Sequence, residues 1–290
     1  LETGEAIVCA LEQRGYAPIA IDVDEDLAGA LRRVGAEVAF VALHGRLGED
    51  GAVQGLLEVM GIPYTGSGVL ASALAMDKPL SRAVLSQGGL PTVPQQILEE
   101  GDPLDGAIQF DLPVVVKPAK EGSSVGISIV RERSGLRPAL EEAFQVQNSS
   151  GIAHQRSVLI EPYLQGREVT VGVFRGEVLG TIEVVPAETF YDYRAKYLSH
   201  QTQYLLEPRI PLDVLERTKN LALTTHGLLG CGGATRTDTI VMENGDIFIL
   251  EINTLPGMTS TSLIPKMAAH RGISFDDLIE RILEDARLWS

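Results

Sequence analysis

Apolar and polar positions along the chain switch between two periods. From Thr3 to Gly15 the apolar Ala6, Ile7, Ala10 and Leu11 fall at helical spacing, and a strand-like run follows from Ala17 to Val23. Leu27 to Val34 predicts a second helix, Val38 to Leu43 a buried strand, Ala52 to Met60 a helix and Pro63-Tyr64-Thr65 a short strand. Such alternation predicts an open α/β sheet. Gly66-Ser67-Gly68 punctuates the chain, and Val69 to Ala75 and Lys78 to Gln87 then carry helical spacing. Leu112 to Val116 and Gly126 to Val130 predict strands flanking a glycine-rich turn, with a helix at Leu136 to Phe144 and a strand at Val158 to Glu161, an α+β pattern. Val169 to Phe174 and Val178 to Val184 predict a hairpin around Arg175-Gly176, and the polar, aromatic stretch from Phe190 to Tyr204 reads as a lid. Asp213 to Leu228 predicts a helix, Ala234 to Met242 and Ile247 to Asn253 strands, and Phe275 to Leu288 an amphipathic helix.

Composition narrows what such a chain can do. With 290 residues it is long enough for two or three lobes, and 44% hydrophobic against 22% charged residues supports folded cores. The formal net charge of -15 repels nucleic acid and anionic membrane surfaces, so neither is an expected partner. Cys9 and Cys231 have no CxxC spacing, which suggests neither a disulfide framework nor a thiolate zinc site. No run of about 20 apolar residues is present, and the expected location is the cytoplasm.

The last predicted hairpin carries the sharpest chemistry. Its turn, Glu243-Asn244-Gly245-Asp246, contains the Asn-Gly pair favoured in two-residue type I′ loops. If Glu243 faces Asp246, counting back pairs Asp238 with Glu251 and Arg236 with Asn253, all on one face. Two carboxylates roughly 5 Å apart repel unless a cation lies between them. Together with an amide they suit magnesium. The plain alternative is a solvated polar strip.

Lys117 to Gly126 is a strand-end lysine followed by a small-residue loop, including Ser123 and Ser124, whose backbone donors can cradle phosphate. Equally it is a turn, and it is not a Walker A loop. Glu161-Pro162-Tyr163-Leu164 leads from one lobe to the next, where exposed backbone suits an adenine edge and Glu168 suits ribose hydroxyls; read alone, it is a linker. His44 follows a strand, where open α/β sheets present ligands, and is a candidate substrate contact or a structural histidine. Pro256-Gly257 makes a sharp turn whose N–H could face an oxyanion.

These elements together resemble the ATP-grasp ligases. Within that class, Ala42-Leu43-His44-Gly45-Arg46, Gly48-Glu49-Asp50-Gly51, Pro63 to Gly68, Met76-Asp77-Lys78, Lys120 to Gly126, Phe190-Tyr191-Asp192-Tyr193, Ala195-Lys196-Tyr197 and Asn253 to Leu263 are similar to segments of the D-alanine-D-alanine ligase family. The resemblance implies an ATP-grasp fold of three lobes: residues 1–66 as an α/β lobe with an open parallel sheet, 67–161 as a central lobe, and 162–290 as a catalytic lobe with a lid at 190–204. ATP would bind between the last two. Lys78 and Lys117 would hold its phosphates, with Ser123 and Ser124 in the phosphate loop; Glu161, Pro162, Tyr163 and Leu164 would hold its adenine and Glu168 its ribose, and Lys196 would bind ATP from the lid. Asp238, Glu251 and Asn253 would hold two magnesium ions, with manganese able to substitute.

The resemblance further implies that Arg236 and the Gly257 N–H stabilise a tetrahedral oxyanion and that Ser262 and Leu263 receive the second D-alanine's carboxylate. Lys196 and Tyr197 would close the lid, and tyrosine at 197 favours a dipeptide product over a depsipeptide. A homodimer making peptidoglycan precursor is implied. Family members begin with a strand, a glycine-rich turn and a loop whose glutamate joins Ser123 and Tyr197 in a hydrogen-bond cluster; this chain opens at the helix after them, so an N-terminal segment is expected to be missing from it. The competing expectation is a non-catalytic nucleotide-binding protein of the same fold.

Overall fold

The computed structural model describes residues 2–23, 26–103, 108–120, 126–149, 157–186 and 202–289. The first helices are α1 (Glu2–Gln13), α2 (Leu27–Val34) and α3 (Ala52–Met60). Glycines in the left-handed conformation end α2 and α3: Gly35 has φ 63° and Gly61 φ 68°, where a side chain would be strained. Parallel pairing between the predicted strands around them is confined to a bridge from Ala39 to Tyr64. Ala17 to Val23 forms no strand; it runs extended, with Ile19 well exposed while Ile21 and Val23 lean on the core of α2 and α3. Among the described residues the open parallel sheet expected here is thus reduced to that single parallel bridge.

Helices α4 (Val69–Met76) and α5 (Lys78–Gln87) follow. Asp77 caps α5 by accepting the Leu80 N–H at 3.1 Å, with Pro79 in the first turn, which places Lys78 at the helix start. Next come β1 (Gln96–Glu99), β2 (Val114–Pro118), β3 (Ser128–Val130), α6 (Leu136–Ser149) and β4 (Ser157–Pro162). They form an antiparallel sheet in the order β1-β4-β2-β3. Val114, Val116, Val158 and Ile160 point to one face and bury Leu140 and Ala143 of α6. Each large aliphatic buried this way contributes about 1.5–3 kcal/mol. The period of two sends Lys117 and Glu161 to the opposite face.

The second sheet contains β5 (Gly166–Phe174), β6 (Glu177–Val185), β7 (Gln203–Leu205), β8 (Ala234–Met242) and β9 (Ile247–Asn253), in the order β7-β6-β5-β8-β9. Arg175 and Gly176, with φ of 51° and 74°, turn the β5–β6 hairpin as predicted. Helix α7 (Leu212–Leu228) covers one face of this sheet, burying Val169, Val171 and Val173. Helix α8 (Leu263–His270) packs on the other, with Ile264 and Met267 against Leu179 and Ile182. The end of the predicted lid belongs to β7; residues 190–201 lie outside the described ones.

The final helix, α9 (Phe275–Glu284), is shorter than its pattern predicts because the tail turns back. Arg287 pairs with Tyr64 through two backbone hydrogen bonds, the Trp289 N–H donates to Glu58 at 2.8 Å, and the indole ring lies against Gly68 and Gly232.

Candidate active site

The turn between β8 and β9 is one residue longer than predicted. The Met242 N–H donates to the Asp246 carbonyl at 2.8 Å and the Gly245 N–H to the Met242 carbonyl at 3.0 Å, so Glu243, Asn244 and Gly245 form the loop. Only Gly245, at φ 84°, is left-handed; Asn244 instead ties its side chain to Asp246, accepting the N–H at 3.0 Å and donating to the carboxylate at 2.7 Å. The predicted pairing of Glu243 with Asp246 is therefore incorrect. Farther along, Thr239 pairs with Ile249 while Asp238 pairs with Glu251, leaving Leu250 unopposed as a β-bulge. The bulge cancels the longer turn. Asp238 stands opposite Glu251, and Arg236 opposite Asn253, as predicted.

Asp238 is buried and gripped by Arg236, whose Nε and Nη2 each donate at 2.9 Å to one carboxylate oxygen. Thr170 of β5 donates a further hydrogen bond to the same carboxylate. Glu251 meets Lys78 Nζ at 3.2 Å. The Asn253 Oδ1 accepts the Leu255 N–H at 3.1 Å, which starts the turn carrying Pro256 and Gly257. Two opposed carboxylates and an amide are the oxygen donors that hard divalent cations take. Among the described residues no group of three or more His, Cys, Asp or Glu converges on a point, so the donor set here is two carboxylates and an amide. The residues present fit magnesium in that form.

Across from this face lies a second charged cluster. Glu161, buried, accepts Lys117 Nζ at 2.8 Å and Arg82 Nη1 at 2.6 Å on one oxygen. Burial pushes the Lys117 ammonium down to about 8; Glu161 opposes the shift, while Arg82 and Lys78 add to it. For Glu161 burial works upward, but Lys117 and Arg82 outweigh it and hold the carboxyl below its ordinary range. Lys117 and Lys78 act electrostatically on each other, so the two predicted phosphate-holding lysines share one site with Glu251.

The remaining predicted residues distribute around these clusters. His44, exposed yet desolvated enough to lower its pKa, lines the edge of a narrow crevice with Thr65, Gly66, Thr254 and Pro256. Ser262 occupies the N-cap position of α8 without a side-chain cap bond to the helix; its Oγ instead accepts the Thr259 N–H at 3.1 Å and lies beside Gly257, and Leu263 is the first residue of that helix. The positive end of the helix dipole thus faces the position expected to receive a carboxylate. Pro162, Tyr163 and Leu164 connect the two sheets, with the Tyr163 N–H bonded to the Pro113 carbonyl at 3.0 Å. Glu168 is half-buried near the start of β5. Ser123, Ser124, Lys196 and Tyr197 lie outside the described residues.

Two side chains that the sequence analysis passed over belong to the site. Glu49 lies among Glu251, Arg236 and Lys78; burial raises its pKa, the Gly45 N–H at 2.6 Å works against this, and Glu251 raises it further. Arg82 is the other. Its signal was its position four residues after Lys78, on the same face of α5. Glu49 had a signal too, in Gly48-Glu49-Asp50-Gly51 between a strand and a helix.

Comparison with known proteins shows the family. Residues 84–284 match the family model described as D-ala D-ala ligase C-terminus, and residues 25–67 the model described as D-ala D-ala ligase N-terminus. A D-alanine--D-alanine ligase of Geotalea uraniireducens is 48% identical over 289 residues, covering 99% of this chain and 91% of the relative. The chain belongs to the D-alanine-D-alanine ligase family. Another relative of this ligase, from Anaeromyxobacter dehalogenans, is 49% identical over 291 residues, covering 99% of this chain and 92% of that one. Among solved structures, the D-alanine--D-alanine ligase from Bacillus anthracis complexed with ATP superposes with a TM-score of 0.81 at 32% identity, covering 98% of this chain and 90% of that one. A second structure of a Bacillus anthracis ligase gives 0.83 at 35%, with the same coverage. The ATP-grasp architecture is thereby established for the ligase, and the non-catalytic alternative is disfavoured.

Proposed function

We propose that the protein joins two D-alanine molecules into D-alanyl-D-alanine at the expense of ATP, releasing ADP and phosphate, as a step toward peptidoglycan precursor. The observation that carries this reading is the placement of Asp238, Glu251 and Asn253 on one sheet face, with Arg236 beside them and Lys78 and Lys117 facing them. A scaffold protein has no physical need for that cluster.

In the first step the carboxylate of one D-alanine attacks the γ-phosphorus, forming a D-alanyl-phosphate and displacing ADP. Then the amine of the second attacks the acyl carbon, loses a proton and expels phosphate. Lys78 and Lys117, with Ser123, Ser124 and Lys196, hold the phosphates, while Glu161 to Leu164 and Glu168 receive the nucleoside. Asp238, Glu251 and Asn253 would hold two magnesium ions, or manganese in their place, and the bound metal would supply neutralisation of charge on the transferring phosphoryl group. Arg236 and the Gly257 N–H orient toward the oxyanion of the second step. Ser262 and Leu263, at the α8 N-terminus, bind the second carboxylate, and His44 borders the substrate crevice. Lys196 and Tyr197 exclude the water that would hydrolyse the acyl-phosphate.

A cytoplasmic homodimer completes the reading; among the described residues no helix is long and apolar enough to cross a membrane. Phosphate release from magnesium-ATP, measured with D-alanine, with L-alanine and with D-alanine plus D-lactate, tests it. Release that requires D-alanine, with dipeptide as product, is expected. No dependence on D-alanine would refute the ligase reading, and a D-lactate ester as the main product would replace it with a depsipeptide ligase.

A further inference from the structure

The bulge at Leu250 decides where Glu251 points. Counting from Met242 opposite Asp246, an unbulged β9 would set Leu250 opposite Asp238 and turn Glu251 to the other face of the sheet. Nothing in residues 247–253 forces a bulge by itself, since the segment holds no glycine or proline. What holds it comes from α5. Arg82, 2% exposed, donates from Nε at 3.3 Å and from Nη2 at 2.9 Å to the carbonyl of Leu250. Its Nη1 reaches Glu161 at 2.6 Å and Gln95 at 3.2 Å. Next to it on the sheet edge, the Ile249 N–H is taken by the Pro91 carbonyl at 2.9 Å.

We propose that Arg82 is a positioning residue of the ligase reaction: its planar fork locks the Leu250 bulge, which keeps Glu251 opposite Asp238, and at the same time fixes Glu161, which holds Lys117. One guanidinium thereby sets the spacing between the metal-binding face and a phosphate-holding lysine that lie on different sheets. Lysine cannot replace it, because a single ammonium on a flexible stem does not present the parallel donors that span Leu250 and Glu161. The inference rests on the proposed assignment of Glu251 and Lys117 to magnesium and phosphate.

The test compares wild type with Arg82→Lys and Arg82→Met. Its first readout needs no turnover: binding of ADP by calorimetry as magnesium is raised. Its second is hydrogen exchange of the Leu250 and Glu251 amides in the free protein. The expected result is at least a tenfold rise in the magnesium concentration that half-saturates ADP binding, and at least tenfold faster exchange at those amides. The KM for D-alanine should stay within about twofold. Arg82→Lys keeps the buried charge beside Glu161 and serves if Arg82→Met does not fold; it should show the same two changes at smaller size. Unchanged magnesium dependence with unchanged exchange in a folded variant would overturn the proposal, as would a loss falling equally on D-alanine and nucleotide. If wild type shows no D-alanine-dependent phosphate release, yet the variants show both shifts, the ligase reading fails while the part of the proposal in which Arg82 locks the bulge and sets magnesium-dependent nucleotide binding stands.

Discussion

Asp238 and Glu251 face each other across β8 and β9, and each carboxylate is neutralised by a different cation, Arg236 for the first and Lys78 for the second. The repulsion expected of opposed carboxylates is thus already relieved by side chains. A divalent ion held between them would have to share the Asp238 carboxylate with Arg236, which occupies both of its oxygens.

Replacing either acid separates charge from shape. Asp238→Asn and Glu251→Gln are expected to lower kcat by at least about 100-fold, the scale on which electrostatic stabilisation of a transition state acts. Steady-state rates at rising magnesium check this: the half-saturating magnesium concentration should rise with the loss of rate, and a variant with wild-type rate and wild-type magnesium dependence would contradict the role.

Lys117 gives the pH dependence. Its pKa of about 8 in the folded protein lies below the ordinary 10.5, so between these values the unfolded chain binds more protons. This residue's contribution to stability therefore rises with pH across that window. Phosphate binding moves the other way, because the ammonium is lost above pH 8. ADP affinity should fall by up to about tenfold per pH unit there, as one linked proton requires. Lys117→Met should flatten both trends; a wild-type affinity that stays level from pH 7 to 9.5 would exclude the role.

Glu183, on the face of the second sheet covered by α7, is buried yet held by Arg209 and Arg167 at 2.8 Å each. Burial acts upward on its pKa, but the hydrogen bonds from Arg209 and Arg167 bring it down to about 2. A depressed carboxyl contributes stability above the ordinary 4.5 that is lost as the pH falls toward 2. Glu183→Gln should destabilise the protein near neutrality by about 1–3 kcal/mol and reduce the steepness of acid unfolding between pH 4.5 and 2. Denaturant melts at pH 7 and pH 3 measure both.

Trp289 is the sole tryptophan and reports on its own contacts. A Cβ at Gly68 would lie 2.8 Å from the ring and one at Gly232 2.2 Å from it. Gly68→Ala and Gly232→Ala should each cost about 1–3 kcal/mol by overpacking. The indole emission should shift to the red as the ring is displaced. Adding Trp289→Leu should recover part of the loss; independent, additive effects would show that the ring is not what the new methyl meets.

Local pattern told most of the helices and the strands of the second sheet, because apolar spacing and glycine stops act within a few residues. It missed β1, a four-residue edge strand with half-exposed and exposed positions alternating, and α8, whose Pro265 in the first turn hides a good helix start. The carboxylate pairing was legible for an instructive reason. Register was counted from the wrong turn and corrected by a bulge that sequence does not announce, since its partner Arg82 lies 168 positions away. Glu49 was passed over likewise: its neighbours Glu251, Arg236 and Lys78 come from distant segments, and only packing assembles them.

The tail that returns to Tyr64 also sets an order of events during synthesis. Glu58 receives the Trp289 N–H from 231 residues later. At ribosomal rates that interval is roughly 10–50 s. Throughout it, α3 and the Tyr64 segment lack their last backbone partners, so a part of the fold made early is completed only when the tail has been made, and chaperones have that long to engage it.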